Sequence, residues 1–315
     1  MRSSLLVLLA LAVGLAGCRK EPPTTPRPVP APRVKPPPPD ATSTGGQPLP
    51  HRSFSSAAAA LKHVLDRHDP LAIGFGEFHQ KTDSVKVRSA VRRFSEQLVA
   101  PLSARASDLV VETWITKGSC GKQEQLVVKQ VETTTRRPEA TESEVVKLLK
   151  QAKGAGIQPH ILEVGCADYE QLLGAGKVDY AKLLGMITKH LRGKAELLVR
   201  SRARAPLRTR ARAAAPSTGP RSTRRLVAIY GGALHNDLYP YDDLKDFTFG
   251  EALGKLTGGR YVELDLYVPE FVEHDENLAQ EAWFPLLRLA SPQRVTLIER
   301  GERSYILVLR RGVKP

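Results

Sequence analysis

Two segments of the chain end an apolar run in the pattern Gly-x-x-His: Ala72-Ile73-Gly74-Phe75-Gly76-Glu77-Phe78-His79, and Leu226-Val227-Ala228-Ile229-Tyr230-Gly231-Gly232-Ala233-Leu234-His235. Each reads as a buried strand whose carboxyl end delivers an imidazole through a turn that glycine permits, and open parallel α/β sheets keep their ligand sites at such strand ends. Glu77 lies two residues before His79, so in extended chain both side chains point to the same side. Glu112 closes a further apolar run, Leu109-Val110-Val111, and adds a second carboxylate. Two imidazoles and two carboxylates suit one of two chemistries. One is a divalent transition metal held by His79, His235 and Glu77; the other is a metal-free acid–base centre in which Glu77, His79, Glu112 and His235 act on water. Tyr230 and Tyr239, with Tyr241, lie near His235 in sequence and offer phenols that could ligate haem iron or cap a substrate; core packing is their ordinary alternative. The chain has no Gly-x-Ser-x-Gly elbow, phosphate loop or dinucleotide fingerprint.

Weaker candidates surround these. His160 and Glu163 sit on one predicted strand and face opposite sides, so at most one of them reaches a shared site. Glu263 and Asp265 share one face of another strand, opposite Leu264 and Leu266, and read as its solvated face. The run Thr133-Thr134-Thr135-Arg136-Arg137-Pro138 could hold an anion through hydroxyls and guanidinium.

The elements that must position these residues alternate. Ser55-Ser56 caps a predicted helix over 57–67, followed by a strand over 71–75. A helix is expected from Thr82-Asp83 to about Leu102, then a short strand over 108–113. A helix over 142–153, a strand over 159–164 and a helix over 180–191 come next. Strands follow over 226–230 and 261–268, then a short helix over 278–289 and a hairpin over 294–309 turning at Gly301. This order predicts an α/β fold, a mostly parallel sheet flanked by helices with a C-terminal antiparallel hairpin at the edge.

The amino-terminal residues bound the compartment. Met1-Arg2 and the apolar run Leu5 to Leu15 read as a signal peptide over 1–17, too short to span a bilayer. Leu15-Ala16-Gly17-Cys18 resembles the bacterial lipobox, which makes Cys18 the lipidation site; the alternative is an ordinary signal peptide with an incidental Cys. Residues 18–52 then form a lipidated Cys and Pro-rich tether, which cannot bury a core and at about 3.1 Å per residue in polyproline II would extend on the order of 100 Å. Residues 53–315 suffice for a single domain. The formal net charge of +14 does not indicate a nucleic-acid surface. Residues 200–225 hold nine Arg and no acid, and residues 19–52 hold six bases and two acids, so together with Arg2 they account for the whole excess. The basic charge thus lies in low-complexity segments: no specific nucleic-acid partner is expected, and the Arg-rich disordered insertion at about 200–225 would at most meet anionic envelope components. In an oxidising compartment the simplest use of Cys120 and Cys166 is a disulfide; no CxxC spacing supports a metal on these thiols.

Taken together, Ile73 to His79, Leu109 to Glu112 and Ala228 to His235 resemble the superfamily of ChaN haem-binding lipoproteins, TIKI/TraB proteins and erythromycin-esterase-like enzymes. Gln80-Lys81 follows His79 where ChaN-like members commonly carry Asp-Asn. The resemblance implies an α/β fold with the site at Glu77, His79, Glu112 and His235, and it spans metal-dependent proteases, metal-independent esterases and haem-uptake lipoproteins. The expectation is a lipid-anchored cell-envelope protein, a hydrolase, metal-assisted or not, acting on a small-molecule or peptide ligand. Its alternatives are a non-enzymatic haem- or metal-binding uptake lipoprotein and an envelope scaffold with an inert site. The membrane is the partner of the amino-terminal lipid, and Arg19, in place of the Asp that resembles an inner-membrane retention signal, favours the outer membrane.

Overall fold

The computed structural model describes residues 7–8, 48–82, 86–174, 177–204 and 224–312. Its elements in chain order are β1 (Val7–Leu8), β2 (His51–Phe54), α1 (Ala57–His68), β3 (Ala72–Glu77), α2 (Ala90–Leu102), β4 (Ala106–Lys117), α3 (Gly121–Thr135), α4 (Ala140–Gly154), β5 (Gln158–Gly165), α5 (Cys166–Leu172), β6 (Leu173–Gly174), β7 (Lys177–Val178), α6 (Tyr180–Arg204), β8 (Leu226–Gly232), α7 (Ala233–Asn236), α8 (Gly250–Leu256), β9 (Tyr261–Tyr267), α9 (Pro269–Val272), β10 (Val295–Gly301) and β11 (Ser304–Val308).

The central strands run parallel in the order β5-β4-β8-β3-β9-β11. Beyond β11 the hairpin partner β10 and then β2 pair antiparallel, forming the expected edge. β1 pairs antiparallel with Thr113 and Trp114 of β4. The protein is therefore an α/β fold built on a mostly parallel sheet. β3, β8 and β9 are buried along their whole length; β3 and β8 accordingly read as near-continuous apolar runs, whereas β9 alternates because its polar face is itself covered.

Helices cover both faces. On one face α1, α2 and α4 pack on Ile73, Phe75, Leu109, Val111, Ala228, Tyr230, Val262 and Leu264. On the other, α3, α5, α6 and α8 pack on Val110, Trp114, Val227, Ile229 and Tyr261. A smaller cluster around Trp283, Leu286, Leu287, Ile298 and Ile306 closes the β9–β11–β10 end. Each Val, Leu, Ile or Phe among them contributes roughly 1.5–3 kcal/mol when fully buried.

Several boundaries differ from expectation. α2 begins at Ala90 and not near Thr82, because the Ser89 hydroxyl accepts from Arg92 N at 3.1 Å and caps the helix there. β4 extends to Lys117, well past Thr113, and β2 begins at His51, ahead of the expected domain start at 53. α6 continues beyond Leu191 through buried Ala195 and Val199 to Arg204. The stretch Leu278 to Leu289 forms two separate 3₁₀ turns, with Pro285 at the start of the second. The β10–β11 turn places Arg303, and not Gly301, in the left-handed region at φ 60°. Glu263 and Asp265 are not solvated: both are essentially inaccessible and face the Arg300 guanidinium. Arg202 also leaves the expected loop, since it lies near the end of α6 in a two-pronged pair with buried Asp108 at 2.7 and 2.9 Å. Cys18, the tether up to residue 47 and the Arg-rich stretch over 205–223 lie outside the described residues. Among the described residues no helix is long and apolar enough to cross a membrane.

Candidate functional site

Parallel register places Glu77 beside Gly232, and Val111 beside Tyr230, so β3 and β8 end level with Glu112, where β4 leaves β8 and runs on to Lys117 beside β5. Their side chains approach from opposite faces. Glu77 lies on the face of Phe75 and Tyr230, whose hydroxyl donates to Glu77 Oε2. Glu112 lies on the face of Val110 and Ile229, and its Oε2 accepts from Gly232 N at 2.6 Å. Two glycines make room for this convergence: a Cβ on Gly231 would lie 2.5 Å from Glu112 Oε2, and one on Gly232 would lie 2.8 Å from His79 Nε2.

His79 follows β3 and turns its Nδ1 to Glu77 Oε1 at 2.6 Å. The Arg137 guanidinium, all but buried, meets both: its Nη2 touches His79 Nδ1 and stands 3.3 Å from Glu77 Oε1. His235, carried by the single turn α7 after β8, places Nε2 3.8 Å from Glu112 Oε1. Its Nδ1 meets Thr188 Oγ1 of α6 at 2.8 Å and Phe247 O at 3.0 Å. The carbonyl can only accept, so the network assigns the proton of His235 to Nδ1 and leaves Nε2 bare toward Glu112. At His79 Nδ1 the two neighbours make opposite demands, since the Glu77 carboxylate accepts and the Arg137 guanidinium donates, so these contacts assign no tautomer to that ring.

Environment then separates the two carboxylates. Burial pushes Glu77 up, but the His79, Arg137 and Tyr230 contacts outweigh it and hold the carboxyl below its usual range. At Glu112 burial is the largest influence, and it outweighs the lowering effect of His79, the Gly232 N–H and Arg137, so this carboxyl is raised. Burial also lowers both imidazoles, His235 to about 4. At neutral pH both rings are uncharged, Glu77 is anionic and Glu112 is driven toward its protonated form. Glu112 Oε1 and Arg137 Nε are buried without hydrogen-bond partners, so an acceptor and a donor are left at the same centre.

Glu77, His79, Glu112 and His235 are thus brought together in space, with Tyr230 joining them through Glu77. Other expectations fare differently. Tyr239 turns away and donates to Glu302 O at 2.8 Å in the β10–β11 turn, and Tyr230 is committed to Glu77, with burial and that carboxylate raising its phenol well above the ordinary value. Neither presents a phenolate to haem iron. The set His79, His235 and Glu77 does not fit a metal: among the described residues no three His, Cys, Asp or Glu side chains are arranged to hold one, and a guanidinium stands at the Glu77–His79 pair. His160 bonds Asp108 at 2.9 Å and Glu163 pairs with Lys117, so neither reaches the site. Cys120 and Cys166 form a disulfide with Cα atoms 5.1 Å apart.

Sequence reasoning missed Arg137 as a site residue, and missed Thr188. The signal for Arg137 was present in the hydroxyl- and guanidinium-rich run 133–138, but the partner it meets is internal and not a free anion. Thr188 carried none, being one β-branched residue on a long helix.

Fold and site together define an α/β protein with a buried Glu/His/Arg centre at the carboxyl edge of a mostly parallel sheet. No family model and no curated protein matches the chain. Among solved structures, that of the type III effector HopBA1 is similar at a TM-score of 0.42 and 15% sequence identity, over 84% of this chain and 98% of that one. A likeness of that degree carries no functional argument.

Proposed function

We propose that the protein is a hydrolase, acting without a metal at Glu77, His79, Glu112, Arg137 and His235. The observation that supports this reading is the division between the two carboxylates, one held anionic and one driven toward its neutral form, which is how acid and base roles are separated within one site. His235 Nε2 takes a proton from water as the water oxygen attacks an acyl carbon. Arg137, held by Glu77, faces the negative charge that develops on the carbonyl oxygen. Glu112 gives its proton to the leaving group and recovers one from the His235 imidazolium, whose Nε2 is 3.8 Å away. His79 is fixed by Glu77 and lines the centre with an uncharged ring. The ligand is a small molecule or a peptide carrying an ester or amide bond. The envelope setting belongs to the same proposal: lipidated at Cys18, the chain would be anchored to the outer membrane, with the Pro-rich tether spacing the domain from it.

The test is turnover of a panel of chromogenic esters and peptides by the parent chain and by Glu112→Gln and His235→Ala. Loss of about 10²-fold or more in both variants, with circular dichroism unchanged, is expected. Parental activity in both would overturn the reading.

A further inference from the structure

A second buried polar cluster lies beneath the residues that come after His235, and the acid–base chemistry above does not use it. Arg300 of β10 is its centre. The guanidinium pairs with Glu263, with Asp237 Oδ1 at 3.2 Å and with Asp265 Oδ2 at 3.7 Å, and its Nε donates to Ser304 Oγ at 2.9 Å. The Arg and all three acids are buried.

These groups converge on one short stretch of backbone. Glu263 Oε2 accepts from Leu238 N at 3.0 Å, and Asp237 Oδ1 from Tyr239 N at 3.0 Å. Asn236 Nδ2 donates to Asp265 Oδ1 and to Gly74 O, both at 3.2 Å, which ties the turn after β8 to β3, the strand that carries Glu77. Tyr261 OH donates to Asn236 O at 2.7 Å, and Thr248 Oγ1 to Asp237 O at 2.5 Å. Gly250 closes the far side, since a Cβ there would stand 2.1 Å from Asp237 O.

Beyond the single helical turn α7, residues 237–239 belong to no helix or strand, and the side chains of Glu263 and Asp237 meet their backbone N–H groups instead. Well-packed apolar residues would fill the same volume at equal or lower cost. What ionic and amide groups add is direction: each bond fixes the rotation of the backbone group it meets, directly after the residue whose ring meets Thr188 Oγ1 and Phe247 O.

We propose that Arg300, with Asn236, Asp237, Glu263 and Asp265, forms a positioning network that holds the His235 ring in its Nδ1–H tautomer with Nε2 toward Glu112. The value of that placement rests on the hydrolase reading; the placement itself does not. The experiment is nitrogen-15 NMR of the histidine rings in the full chain labelled at its eight histidines, with His235 assigned by the signal lost in His235→Asn. The parent should show His235 as one fixed Nδ1–H tautomer. Asn236→Ala and Arg300→Gln should lose that pattern to tautomer averaging while His79 keeps its own, and Arg300→Lys, which retains a cation, should restore it. A His235 pattern unchanged in folded Asn236→Ala and Arg300→Gln would overturn the proposal. If Arg300→Gln fails to fold, Asn236→Ala and the isosteric Asp237→Asn decide by the same criterion. The readout needs no turnover, so an inactive chain with the expected His235 response would sink the hydrolase reading and leave the network standing.

Discussion

Glu77 and Glu112 make opposite predictions although both are buried glutamates of the two parallel strands that flank β8. The folded value of Glu77 lies below the ordinary 4.5, so its stabilisation is present above that pH and is lost as the pH falls through the depressed value. Glu77→Gln strands the Arg137 charge and should destabilise the fold by about 3 kcal/mol or more, read as a lower denaturation midpoint. The folded value of Glu112 lies above 4.5, so its contribution favours the fold below that pH and is lost as the pH climbs through the raised value. Glu112→Gln keeps an acceptor for Gly232 N and should raise the melting temperature at pH 8 while removing turnover. His235 is lowered from 6.5 to about 4, so the fold should lose roughly 3 kcal/mol as the pH falls from 6.5 to 4, and urea titrations of His235→Asn should lack that part of the slope. Glu77, His79 and His235 were legible because glycine-flanked strand ends announce themselves in sequence, and Glu112 because it closes a short apolar run. Arg137 was not, because its role depends on which pocket the end of a helix happens to meet.

At the level of elements, reading by hydrophobic period fails first at α3. It was absent from the expected set: its buried Val127, Val128 and Val131 form a short stripe, and three threonines end it, so neither amphipathy nor propensity marks it. Yet α3 leads directly to Arg137, its last turn closing on Arg136 with φ 43°. Its amino end is tied to α5 by the Cys120–Cys166 disulfide across 46 residues of sequence. Replacing both cysteines by serine should cost about 4 kcal/mol by the chain-entropy relation, and should lower activity further than an equally destabilising change in α1 would, which kinetics at a temperature where both variants are folded will separate. β8 offers a finer probe. Gly232→Ala would push a methyl against His79 Nε2 with the sheet otherwise intact, so loss of activity with an unchanged far-ultraviolet spectrum is expected. The solvated reading of Glu263 and Asp265 failed for a related reason: alternation reports which residues share a face, and whether that face is covered depends on the distant segment 236–249 and on Arg300 of β10.

For the whole molecule, the parallel sheet with its antiparallel edge was readable from the order of apolar runs, because crossover helices between buried strands leave few alternatives. Its outer parts were read from a lipobox-like motif and from composition, and the proposed anchor has its own test: Cys18→Ser should move the protein from the membrane pellet to the supernatant and abolish incorporation of labelled palmitate. Inside the domain, the two carboxylates stand on different hydrophobic layers, Glu77 on the layer with Phe75, Phe94 and Tyr230, and Glu112 on the layer with Val110 and Ile229. A substitution that loosens one layer therefore wets one carboxylate and spares the other. Lineages of this fold could drift toward acidic or alkaline surroundings by repacking a single side of the sheet, leaving every residue that touches substrate in place.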